Sequence, residues 1–68
     1  MIDASTNPLE ALQMALKREV AAEEFYLNAA KSAAEAGARK MFEFLAAEER
    51  KHQRIIQDEI DKNFLREM

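Results

Sequence analysis

The sequence has no cysteine. That absence removes disulfides, thiolate metal sites and thiol catalysis together. In a chain of 68 residues the loss matters, because so small a core is usually reinforced by disulfides, a bound metal or association. Metal and association remain. Glycine and proline occur once each, alanine is abundant and 34% of residues are charged. This is the composition of a helical chain. No segment alternates with period two, so no strands are expected. No apolar run approaches a transmembrane length, and the polar start Met1-Ile2-Asp3-Ala4-Ser5 does not read as a signal peptide. A soluble cytoplasmic protein is the expectation. The net charge of −3 has its signs interspersed, leaving no basic stripe for nucleic acid. Histidine also occurs only once, at position 52.

The chain reads as one unit over 1–68, with an irregular lead over residues 1–6. Asn7, Pro8 and Glu10 make a helix start: Asn7 caps free amides, Pro8 suits the first turn and Glu10 can reach back. From there Leu9, Leu12, Leu16, Glu19, Glu23, Tyr26, Ala30 and Ala33 step by threes and fours, with Val20 and Leu27 beside them. The spacing predicts a helix over about 8–35, ended by Gly37 in a left-handed conformation. A second helix over about 38–65 has no Ser, Thr, Asp or Asn at its start. It carries Phe42, Leu45, Glu49, His52, Ile56 and Ile60 on one line, with Phe44, Ile55 and Phe64 beside it. So short a connection implies an antiparallel hairpin. The fold class is all-α.

Both seams are interrupted by groups that do not belong in an apolar line. Glu19, Glu23 and Tyr26 interrupt the first; Glu49 and His52 interrupt the second. A carboxylate buried without a partner is expensive and must be neutralised, paired or given a cation. Glu49 and His52 are three apart, so they project from one face about a turn apart and can grip one ion. Folding the hairpin places Glu19 roughly 23 Å before the turn and Glu49 with His52 roughly 15 to 20 Å after it. The three groups can share one level.

Two helices leave their inner stripe open to water. Two hairpins on a two-fold axis close a four-helix bundle and double the group to two Glu19, two Glu49 and two His52. Four carboxylates in one cavity call for two divalent cations. Glutamates from two helices with Glu-x-x-His from the other two is the di-iron carboxylate arrangement. Oxygen donors with one imidazole per ion suit iron, with manganese the alternative.

The run Glu19-Val-Ala-Ala-Glu-Glu-Phe-Tyr26, followed by Phe42-Glu-Phe-Leu45-Ala-Ala-Glu-Glu49-Arg-Lys-His52, resembles the rubrerythrin branch of the ferritin-like superfamily over residues 9 to 60. The resemblance implies a ferritin-like bundle in which Glu19 is a bridging or terminal ligand, Glu49 a bridging ligand and His52 a terminal nitrogen ligand. Tyr26 is implied as a hydrogen-bond donor beside the cluster. Full members of that branch carry four helices per chain and two half-sites; this chain has one. They add a cysteine-ligated iron centre, excluded here, and a further Glu whose position is Ala22 in this chain, with Glu23 one residue on as the candidate substitute. The two-helix form is similar to encapsulated ferritins, whose site assembles between subunits and oxidises ferrous iron inside a protein shell. That similarity implies a dimer or higher even-numbered assembly, two iron ions per bundle, and oxygen or peroxide as oxidant.

Plainer readings stand beside these. Glu49 and His52 can be an exposed pair across one helical turn, and Glu19 a partner of Arg18 or Arg50. Glu23 is the candidate for an additional ligand. Tyr26, Met14, Met41 and the phenylalanines read as packing, and Glu24, Glu43, Glu48, Arg50 and Lys51 as a solvated face. Rubrerythrin-like peroxide reduction with an external donor is the second functional reading. A metal-free dimerisation module, or a piece of a longer four-helix chain, is the rival from another class.

Overall fold

A computed structural model describes residues 7–64. The expected irregular lead over 1–6, and residue 65 at the end of the expected second helix, lie outside them. Two helices pack against each other as a hairpin, α1 over Pro8–Ser32 and α2 over Ala36–Asn63, with no strand among the described residues. The molecule is 12 Å thick, the diameter of one helix with its side chains. It is a single layer.

The start of α1 follows its local sequence. Asn7 Oδ1 accepts from the Glu10 amide at 2.8 Å, and Pro8 opens the helix where its missing N–H costs nothing. The end differs from expectation. The helix stops at Ser32, where Ala33 turns extended at φ −72° and ψ 126°. Gly37 does not terminate it: no glycine has positive φ, and Gly37 lies inside the first turn of α2. The connection is three residues, Ala33 to Glu35. Glu35 caps α2 without a side-chain hydrogen bond, matching the weak start read from the sequence. Arg39 closes the corner from the other side, its Nη2 donating to the Ala33 carbonyl at 3.2 Å. A cation there also suits the negative end of α1.

Among the described residues only Ala30, Ala46 and Ile60 are buried. Leu12, Leu16, Glu19, Glu23, Tyr26, Phe42, Leu45, Glu49 and Ile56 are half-buried. The seams therefore face each other as expected, but they make a contact stripe rather than a core. Of the aromatic residues, Phe42 packs within the hairpin, its ring stacked 6.4 Å from Tyr26. Phe25 meets Tyr26 edge-on at 5.4 Å yet stays 64% exposed, with Phe44 at 58%, Ile55 at 66% and Met41 at 55%. Reading these as packing residues fails within this chain, because a two-helix layer has no second layer to cover them.

Candidate metal centre

Glu49 sits near the middle of α2 and faces α1. Each following residue steps about 100° round the helix, which puts Arg50 and Gln53 to one side of Glu49 and His52 to the other. On α1, Glu19 and Glu23 are one turn apart and face this zone together. Polar side chains of α2 thus reach α1 on both flanks.

On one flank, His52 Nδ1 lies 3.0 Å from Glu19 Oε1 and 3.4 Å from Glu49 Oε1. A donor atom from each of the three residues falls within 4.8 Å of the others. An ion held roughly 2.1 Å from each donor separates neighbouring donors by roughly 3.0 Å at a right angle and 3.4 Å at a tetrahedral one. The two spacings from His52 fall at these values, and the residue types, two carboxylates and an imidazole, are ones a first-row divalent cation accepts. The two carboxylates are largely covered, whereas the His52 side chain is 51% exposed. His52 therefore departs from the buried line on which its spacing placed it and stands at the open edge of the group. Three donors also leave any ion short of a full coordination set.

The charges of the group show what it is suited to hold. The hydrogen bond with Glu49 holds Glu19 below the ordinary carboxylate value, His52 adding to the effect against partial burial. Glu49 moves the opposite way, pushed up by its hydrogen bond to Glu19, by burial and by the like charge beside it. The hydrogen bond to Glu19 raises His52, with Glu49 contributing further. Two carboxylates this close resist being charged together, a repulsion that a cation between them would relieve.

The other flank is closed. Glu23, the candidate additional ligand, is not in the group. Its Oε2 accepts from Arg50 Nε at 3.1 Å and Nη2 at 2.7 Å, and its Oε1 accepts from Gln53 Nε2 at 2.8 Å. The Gln53 and then the Arg50 hydrogen bonds hold its carboxyl below the ordinary value. Arg50 thus pairs with Glu23 rather than with Glu19. Sequence reasoning passed over Gln53 altogether, although an amide at a half-buried position beside His52 was a signal. Tyr26 lies seven residues beyond Glu19, about 10 Å along the helix, and packs on Phe42 and Phe25. No hydrogen bond among the described residues joins its hydroxyl to the group.

Fold and site together define a helical hairpin that carries one group of two carboxylates and a histidine. A family model, that of rubrerythrin, matches residues 10–68. The chain belongs to the rubrerythrin family, within the ferritin-like superfamily. No curated protein and no solved structure matches it. Family membership implies iron binding by carboxylates and histidine, and Glu19, Glu49 and His52 are a group in this chain able to supply them. No described helix is long and apolar enough to cross a membrane.

Proposed function

We propose that this chain is one half of a di-iron carboxylate protein that oxidises ferrous iron, with the site completed by a second copy. The observation that carries this is the place of His52: it closes a three-donor group at the exposed edge of the hairpin, on the side that carries the most exposed large apolar side chains among the described residues. Met41, Phe44 and Ile55 lie on the same side of α2 as His52, and Met14 and Phe25 continue that surface on α1. A second hairpin laid on this flank covers those side chains and brings in a second Glu19, Glu49 and His52. The isologous contact of a two-fold dimer has this form.

Within that assembly Glu19 and Glu49 supply anionic oxygens and His52 a neutral nitrogen. The carboxylates balance the charge of the incoming cations, and the apolar flank keeps water from the pocket. Glu19, Glu49 and His52 would hold two ferrous ions, which would supply the two electrons that, with two protons, reduce oxygen to hydrogen peroxide or hydrogen peroxide to two waters. Peroxide reduction with an external donor is the weaker reading, since Ala22 offers no carboxylate, Glu23 is committed to Arg50 and Gln53, and the chain has no thiolate centre to deliver electrons. A cytoplasmic setting, or one inside a protein compartment, accords with ferrous iron as substrate. Oxygen consumption on anaerobic iron loading followed by air tests the activity. Stoichiometric uptake in the wild type and none in His52→Ala is expected; equal uptake in both overturns the reading.

A further inference from the structure

The Glu23 cluster lies one step round α2 from the candidate metal ligands and serves no purpose in holding an ion. The Glu23 side chain is only 14% exposed, and both of its oxygens are taken by Arg50 and Gln53. Gln53 Nε2 also donates to the backbone carbonyl of Glu19 at 3.4 Å. The residue after His52 therefore grips the backbone of Glu19, and the residue after Glu49 grips the next turn of the same helix.

We infer that Glu23, Arg50 and Gln53 form a positioning latch that fixes the register of α1 against α2, and with it the placing of Glu19 against Glu49 and His52. This rests on the metal-site reading above. The apolar part of the seam around the site is Leu16, Ala22, Ala46 and Ile56, and apolar contact of that kind is non-directional. A slip of one residue moves α1 by about 1.5 Å and turns it by about 100°. Metal ligation tolerates only a few tenths of an ångström. Charge-assisted hydrogen bonds are short and directional, and setting register is the best-attested role of polar groups inside a helical seam. The two nitrogens that Arg50 presents to one carboxylate oxygen restrain rotation as well as sliding. None of the three touches the ion; they act through the ligands' backbones.

Cobalt(II) titration of the full chain, followed by visible absorption, reads affinity and ligand geometry together. Glu23→Ala and Gln53→Ala are each expected to weaken cobalt binding about 10-fold or more at unchanged stoichiometry, the usual cost of losing an outer partner. Leu12→Ala, on the same line of α1 but two turns from Glu19, lowers thermal stability while leaving cobalt affinity within about twofold, because it removes packing alone. Gln53→Glu weakens binding by setting two carboxylates together, and adding Glu23→Gln restores a carboxylate–amide pair and most of the affinity. Gln53→Met keeps the side-chain length without the amide and carries the same expectation should alanine unfold the hairpin. Unchanged affinity in the Glu23 and Gln53 variants overturns the latch and leaves the metal site standing. So does a drop in stoichiometry in Glu23→Ala, which makes Glu23 a ligand, or an exchange variant no better than Gln53→Glu. A wild-type chain that binds no cobalt overturns the metal-site reading and the latch with it.

Discussion

On the Arg50 flank of the hairpin, polar groups find their partners inside the chain: Glu23 is satisfied by Arg50 and Gln53 at 2.7 to 3.1 Å. On the His52 flank, Glu19, Glu49 and His52 bring donor atoms within 4.8 Å of one another, on the side of the hairpin where Phe25, Phe44 and Ile55 are each more than half exposed. The same two helices build both, with glutamates one turn apart. One flank pairs its charges within the chain, and on the other two carboxylates and an imidazole share one small space beside an exposed apolar surface. The contrast explains how so short a chain can present a large apolar face. Exposed apolar patches of this kind often mark association sites, and here the patch lies on the same side of the hairpin as the donor group.

Removing a proposed ligand should disturb the His52 flank most severely. His52→Ala and Glu49→Ala are each expected to lower metal affinity by more than about 100-fold, beyond the loss of outer partners, as measured by cobalt or iron titration. Both variants also weaken self-association, visible as lower mass at equal concentration. The covering surface comes next. Phe44→Lys is expected to weaken association by about 30-fold, in the range of a buried aromatic anchor, and to reduce metal retention with it. Leu27→Lys, on the opposite flank, leaves both near wild type. Sedimentation equilibrium with metal analysis separates the two, and equal effects from both lysines remove the asymmetry between the flanks.

Acidity sharpens the same contrast. Hydrogen bonding to Glu19 raises His52 above its ordinary 6.5, so in the metal-free chain its contribution to stability is complete below pH 6.5 and fades as pH climbs through the raised value. Glu49, also raised, contributes only while protonated and loses that contribution as pH rises through its own shifted value. Glu23 is lowered by Gln53 and Arg50, and Glu19 by Glu49 and His52, from 4.5. Their contributions are complete above 4.5 and are lost as pH falls through the lowered values. Metal-free stability should therefore peak between about pH 4.5 and 6.5. Metal affinity runs the other way, rising with pH as His52 and Glu49 give up their protons. Thermal melts and cobalt titrations from about pH 4 to pH 8 check both trends. The smallest effect lies away from either flank. Gly37 is helical, and a methyl group added at its Cα meets no atom within 4 Å. Gly37→Ala should therefore stabilise the hairpin by about 0.5 kcal/mol, seen as a raised Tm.

Particular residues show why the sequence was readable in some places and not others. Asn7-Pro8 announced the first helix because capping is local chemistry. The end of that helix was not legible, since Ser32-Ala33-Ala34-Glu35 contains no terminator and the turn is set where the two seams meet, while Gly37 advertised a stop it does not make. Glu19, Glu49 and His52 stood out as polar interruptions of apolar lines, and the structure brings all three together. Glu23 lies on the same line as Glu19, so spacing alone could not tell a ligand from a residue facing Arg50. His52 was legible as a donor but not as an exposed one, because it stands at the edge of the strip of α2 that faces α1 and two helices do not cover it.

The mass and metal content of the iron-loaded protein, determined together by native mass spectrometry, test the central claim most directly. A site shared between two copies predicts an even number of chains with about one iron per chain, falling to smaller species when a chelator strips the metal. A monomer with no tightly bound iron contradicts it.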